Sequence, residues 1–224
     1  MFFWFKKKTI VIDAFTGNQL VHQQYPISRA TKHVPEWWKR LPATLPTPGF
    51  ELVPEATSKY CQGFIDLYSQ GFMLPLWSDV AIELTWIDDQ RNFKWQFADR
   101  ITNMDFHEYR AIEGMVTPDR YQHFKIPAPW VVNSKSDTKF LMVRPVWSHG
   151  DNINKFTVLP GIIDFKYQFS VNVNTFFEYI KGTTRQTFLE AGTPLAHLIP
   201  LTEDKVEIRC QDRKSTRLNS SHGY

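Results

Sequence analysis

Ile82-Glu83-Leu84-Thr85-Trp86-Ile87-Asp88-Asp89-Gln90-Arg91-Asn92-Phe93-Lys94-Trp95-Gln96-Phe97 is the stretch on which the fold turns. Ile82, Leu84 and Trp86 alternate with polar positions, and so do Phe93, Trp95 and Phe97. Successive strand side chains point to opposite faces, so a period of two marks a half-buried strand. Asp88-Asp89-Gln90-Arg91-Asn92 separates the two runs. The stretch reads as a β-hairpin with a polar loop, with Trp86 and Trp95 on a buried or partly buried face.

Outward from the hairpin, β-rich stretches recur at 139–144, 155–164, 169–173, 176–180, 194–200 and 206–208, and the pattern turns to strands from Gly63. Toward the N-terminus, Thr9-Ile10-Val11-Ile12-Asp13-Ala14-Phe15 is a β-branched, alternating strand. Thr16-Gly17-Asn18 then makes a turn, and a short strand around Leu20-Val21-His22 completes a second hairpin. Residues 28–41 are the clearest helical stretch: Ser28 can cap it, and Ala30, Val34, Trp37, Trp38 and Leu41 share one face. Pro35 inside the pattern marks a break and restart. On this periodicity Trp37 and Trp38 anchor the helix to the sheet. Many short strands and one early helix imply a mainly β fold: a β-clip, barrel or sandwich core with a short N-terminal strand–helix preface. The expected division is a preface at 1–60, a β-rich core at 61–212 and a tail at 213–224.

The 224 residues are 42% hydrophobic and 15% aromatic, with 18 Phe and 8 Trp, enough to bury a sizeable core. Residues 213–222, Arg213-Lys214-Ser215-Thr216-Arg217-Leu218-Asn219-Ser220-Ser221-His222, resemble translated sequencing-adapter read-through and are expected to pack against nothing. Without their three basic residues the 26 Lys and Arg become 23, against 23 Asp and Glu, so the charge balance does not indicate nucleic-acid binding. Cys61 and Cys210 are too few and too far apart for a disulfide framework or a zinc site, and read as free thiols. Met1-Phe2-Phe3-Trp4-Phe5-Lys6-Lys7-Lys8 has its charges after the apolar run, the reverse of a secretion signal, and reads as an opening strand. No run approaches the ~20 apolar residues that span a bilayer. These features predict a soluble, cytoplasmic protein.

Walker loops, dinucleotide fingerprints, zinc-ligand runs and serine-hydrolase elbows are lacking. The order Pro127-Ala128-Pro129-Trp130, Phe140-Leu141-Met142-Val143-Arg144-Pro145, Gly161-Ile162-Ile163-Asp164-Phe165-Lys166-Tyr167 and Glu190-Ala191-Gly192-Thr193-Pro194-Leu195-Ala196-His197-Leu198-Ile199-Pro200 is similar to a family encoded by T4-like marine phages and some bacteria, carrying a domain of unknown function. Pro35-Glu36-Trp37-Trp38-Lys39 fits its phage members. The resemblance spans most of residues 4–208. It implies a β-rich accessory or binding protein without assured catalysis, with phage or host proteins as partners and homo-oligomerisation left open. No cofactor is expected on this reading.

Within the same region, Gly161-Ile162-Ile163-Asp164-x-x-Tyr167 followed by Ala191-Gly192-x-x-Leu195-Ala196-x-Leu198-Ile199 also resembles two motifs of the trimeric dUTP pyrophosphatases. That resemblance implies a β-clip-like fold. It also implies a magnesium-dependent site in which Asp164 lies near the attacking water and Tyr167 packs on the deoxyribose. Arg144-Pro145 stands where that family has an Arg-Ser-Gly phosphate loop, and its Gly-rich closing arm is lacking, so phosphoryl charge would go unneutralised. Without the resemblance, Asp164 and Tyr167 read as a turn aspartate and a core tyrosine. The fold likeness predicts a tight turn at 161–167, a strand at 191–200 packed close to it, and burial of Ile162, Leu195 and Leu198. A third pattern, His149-Gly150-Asp151 with His197, has the order of the two-His-one-carboxylate iron triad. Arg209 then stands where a guanidinium would hold 2-oxoglutarate. Bland readings compete here too: a polar turn at 148–152, and His197 as part of an apolar strand. His107, Glu108 and His123 read as loop residues on a solvated face.

Overall fold

In β1 (Thr9–Thr16) every second side chain, Ile10, Ile12 and Ala14, is buried. The same alternation builds most of the sheets of this computed structural model, which describes residues 8–47, 49–108, 111, 114, 120–145 and 156–213. The expectations for residues 1–7, for His149 and Asp151, and for the tail from Lys214 fall outside the described residues.

The remaining strands are β2 (Ser28–Arg29), β3 (Thr44–Thr47), β4 (Phe50–Ala56), β5 (Phe72–Pro75), β6 (Val80–Ile87), β7 (Gln90–Phe97), β8 (Tyr121–Ser134), β9 (Lys139–Val143), β10 (Phe156–Val158), β11 (Gly161–Asp164), β12 (Ser170–Glu178), β13 (Thr183–Leu189), β14 (Pro194–Pro200) and β15 (Lys205–Asp212). They form two five-stranded sheets, β10-β12-β8-β1-β15 and β11-β9-β14-β5-β2, a three-stranded sheet β13-β6-β7, and the β3-β4 pair. Pairing is antiparallel except between β1 and β15. The chain is therefore mainly β and sandwich-like, and its described sheets stay open rather than closing into a barrel. One core joins the three larger sheets: Ile12, Phe124 and Val173 from the first, Leu74, Phe140 and Leu198 from the second, Ile82, Phe97 and Leu189 from the third. Burying a large apolar side chain contributes about 1.5–3 kcal/mol, so this shared cluster holds the layers together.

The hairpin forms as read. β6 and β7 pair from Val80↔Phe97 to Ile87↔Gln90, and Trp86, Phe93 and Trp95 are half-buried against the core. Its loop is shorter than expected. Only Asp88 and Asp89 lie between the strands, and Gln90, Arg91 and Asn92 belong to β7.

Three local expectations are corrected. Residues 20–22 are not a strand but part of helix α1 (Gln19–Gln24), because the Asn18 side chain accepts the Leu20 and Val21 N–H groups and caps it. Residues 28–41 are not one helix. Ser28 lies in β2, a 3₁₀ turn covers Ala30–His33, and helix α2 (Glu36–Arg40) begins only after Pro35. α2 buries none of its residues, and Trp37 is 49% exposed rather than anchored to the sheet. Residues 62–69, expected to begin a strand region, form helix α3 (Gln62–Ser69). Tyr68 of α3, with Ala30 and Met73, makes a small second core on the outer side of the second sheet. Among the described residues no helix is long and apolar enough to cross a membrane.

The 161–167 region also differs. Gly161–Asp164 is strand β11, paired with β9, and the turn lies at Asp164–Gln168, where Tyr167 and Gln168 N–H donate to the Asp164 carbonyl. Ile162 is 56% exposed, not buried, because its neighbour Ile163 takes the inward face. Leu195 and Leu198 are buried, and Gly192 (φ +88°) sits in the turn before β14 as expected.

Candidate functional site

The hairpin turn begins the site. Asp88 and Asp89 have φ of 49° and 60°, the pair of left-handed residues that a two-residue hairpin turn needs. Asp89 is 2.9 Å from the Lys181 ammonium. The guanidinium of Arg91 and the ammonium of Lys181 each lie 5.8 Å from the Trp86 ring, within cation–π reach.

Beyond β7 the chain is tied back in steps. The Asp99 carboxylate accepts the Ile101 and Thr102 N–H groups at 3.0 and 2.9 Å. The Trp77 indole donates to the Thr102 hydroxyl at 3.0 Å, and the Trp95 indole to Asn103 Oδ1 at 3.1 Å. Asp105 and Lys125 then exchange backbone hydrogen bonds of 3.0 and 2.7 Å, which lays this segment along β8. Phe106 consequently meets Phe93 edge to face, with centroids 5.0 Å apart, and His107 stacks on His123 at 4.8 Å.

Together these elements border an open cleft of about 450 Å³. Its walls are the hairpin end (Asp89, Arg91, Phe93), the segment Phe106-His107-Glu108, the start of β8 (Tyr121, Gln122, His123) and Tyr179. The deeper polar groups are already committed. His123 Nδ1 accepts the His107 backbone N–H at 3.1 Å, so in the neutral ring Nε2 carries the proton, and it faces Asn174 Oδ1 at 3.2 Å. Burial, opposed by the Asn174 contact and helped by His107 and Lys125, pushes the His123 pKa below the ordinary histidine value. The Tyr179 hydroxyl donates to Gln122 Oε1 at 3.2 Å. Burial, opposed by Arg91, pushes that phenol up to about 12, so it stays protonated.

Reading His107, Glu108 and His123 as loop residues on a solvated face is thus corrected for His123, which is buried in β8, and all three line one cleft. Two prolines hide that strand in the sequence. Pro127 and Pro129 lack N–H groups, which argues against an interior strand. β12 accommodates them with a register shift between Ser170 and Asn172, opposite this part of β8.

The residues singled out from motifs lie elsewhere. The Asp164 carboxylate accepts the Lys166 N–H at 3.0 Å and closes its own turn. Tyr167 is 72% exposed, not a core residue, with the Lys166 ammonium 5.4 Å from its ring. Asp164 pairs with Lys139 at one end of β9, and Arg144 lies five residues further along. At ~3.3 Å per residue that is roughly 16 Å, so the two do not converge. Burial lowers the Arg144 pKa. His197 is buried, with its Nε2 3.0 Å from the Gln70 carbonyl. A carbonyl only accepts, so that nitrogen carries a proton and is not a metal ligand. Burial lowers the His197 pKa. Arg209 is exposed and pairs with Glu207 at 3.0 Å. Among the described residues no three His, Cys, Asp or Glu side chains form a metal-holding group.

A mixed aromatic and polar cleft on a sandwich-like β scaffold is the class of site that this geometry defines. No family model matches the chain, and no curated protein does.

Proposed function

We propose that the chain is a β-rich binding protein, of the phage-type accessory kind its motifs resemble, which takes a small ligand in the cleft between the hairpin end and β8. The observation that supports this most is the committed state of the deep polar groups. His123, Gln122 and Tyr179 hold one another and the Phe106–Glu108 segment in place. A general acid or base needs a proton free to move. Groups fixed in this way shape a surface instead, and a cleft of this size falls in the range typical of small-molecule sites. Partner proteins and self-association belong to the same proposal.

The experiment is incubation of the full chain with dUTP and magnesium, followed by a pyrophosphate assay. The expected result is no release. Turnover that disappears in Asp164→Asn would overturn the binding reading in favour of hydrolysis at the 164–167 turn.

A further inference from the structure

We infer that the outer edge of β13 is an interface between two copies of this chain, paired antiparallel across a two-fold axis at Gln186. No residue of β13 lines the cleft, so the test of this interface does not depend on what the cleft binds.

The inference starts from how the sheets end. Among the described residues, β2, β3, β4, β7, β10, β11, β13 and β15 each have one edge without a neighbouring strand. Such an edge offers its N–H and C=O groups to any other strand, so monomers shorten, charge or cover their edges. β2, β10 and β11 are only two, three and four residues long. β3 and β4 carry Pro46 and Pro54, and proline has no N–H to give a ladder. β15 is covered by side chains: Arg29 donates to the Val206 carbonyl, and His22 Nε2 lies 3.3 Å from the Cys210 carbonyl. β7 carries Arg91 and Lys94. β13 is the exception. Its seven residues, Thr183-Thr184-Arg185-Gln186-Thr187-Phe188-Leu189, include no proline, no lysine and no acid.

The sequence of β13 selects a second copy as the occupant. Centred on Gln186, antiparallel pairing of β13 with itself opposes Thr184 with Phe188 and Arg185 with Thr187. The first is a β-branched residue against an aromatic ring, a stabilising cross-strand pair. The second keeps the one charged side chain of the strand from standing directly opposite its like, which a register centred on Arg185 would impose. Gln186 meets its own counterpart. One N–H of its amide donates to Glu83 at 2.7 Å. The second N–H and the carbonyl give each amide a donor and an acceptor for the other. One short strand per copy makes a small interface, so the dimer is weak. The contact is two-fold and self-complementary, so assembly closes at two copies.

The test is sedimentation of the full chain from ~10 µM to ~1 mM, the range in which small interfaces associate. The expected result is a concentration-dependent step from one copy to two, with no further growth. Gln186→Lys sets two ammonium groups opposite each other and should weaken the association about tenfold or more. Gln186 is exposed, and an unchanged melting temperature checks that the variant folds. A second arm uses Cys61→Ser as background. Directly opposite residues have Cα atoms ~4.5–5.5 Å apart, within disulfide range. Gln186→Cys should therefore give a cross-linked dimer under oxidised glutathione. Thr184→Cys, displaced from its counterpart by roughly 13 Å along the strand, should not. A single copy at every concentration, a dimer indifferent to Gln186→Lys, or equal cross-linking at 184 and 186 would overturn the interface. Growth past two copies would overturn its closed two-fold form.

Discussion

At His123 one proton decides two contacts. Protonating Nδ1 turns an acceptor of the His107 N–H into a donor, and it places a charge 4.8 Å from a second imidazole. Burial lowers the folded-state pKa of His123, and also of His33 and His197. As pH falls through the ordinary histidine value, about 6.5, the unfolded chain takes up these protons before the folded one does. Stability present above that value is therefore lost as pH drops toward the folded pKa values. The urea midpoint should fall on mild acidification, and His123→Gln should flatten the slope. A midpoint unchanged from neutral pH to about pH 5 would contradict this. Gly71 makes a sharper claim. Its φ is +77°, and an added Cβ would lie 2.5 Å from the Leu198 carbonyl oxygen and 2.9 Å from His197 Nε2. Gly71→Ala should cost at least ~1–2 kcal/mol from the backbone conformation alone, read as a lowered melting temperature. Part of this residue scale was legible. His197 stood in an apolar run, and that is where it lies. The pairing of His107 with His123 was not legible, since sixteen residues separate them and the Asp105–Lys125 bridge helps bring them together.

The hairpin was legible as an element because each strand keeps a strict period of two around one inward face. Its turn was not, because Gln90, Arg91 and Asn92 are polar for facing solvent and not for leaving the strand. Asp89 holds a left-handed conformation (φ 60°) that glycine adopts without strain. Asp89→Gly should therefore raise stability by up to about 1 kcal/mol. The exposed Lys181 pair it removes contributes less than that. A lower urea midpoint in Asp89→Gly would show that the ion pair matters more than the turn. Helix α3 escaped for a different reason. Phe64, Leu67 and Tyr68 stand at the helical spacing i, i+3, i+4, but over eight residues that spacing is too short to decide the element, and what selects the helix is the outer side of the second sheet, where Tyr68 packs beside Met73. α2 misled in the opposite direction. Its apolar periodicity was real, yet Pro35 and the strand geometry of Ser28–Arg29 leave only five helical residues, none of them buried.

Across the whole molecule, β1 lies between β8 and β15 in one sheet while β9 and β14 lie side by side in the other. This topology separates the motif residues. Asp164 closes a turn at one end of β9, Arg144 lies past its other end, His197 packs under Gly71, and Arg209 faces solvent from β15. It also brings the hairpin end, the 105–108 segment and the start of β8 together, three stretches with no common motif. The mainly β class could be read from alternation alone, but this meeting place could not, because it depends on which strands become neighbours. The most direct measurement is amide chemical-shift mapping of the ¹⁵N-labelled full chain against a mixture of small ring-bearing fragments. The cleft account predicts saturable shifts confined to Arg91, Phe93, Phe106–Glu108, Tyr121–His123 and Tyr179. Shifts centred on the Asp164–Tyr167 turn or on His197, with the cleft amides unmoved, would contradict it.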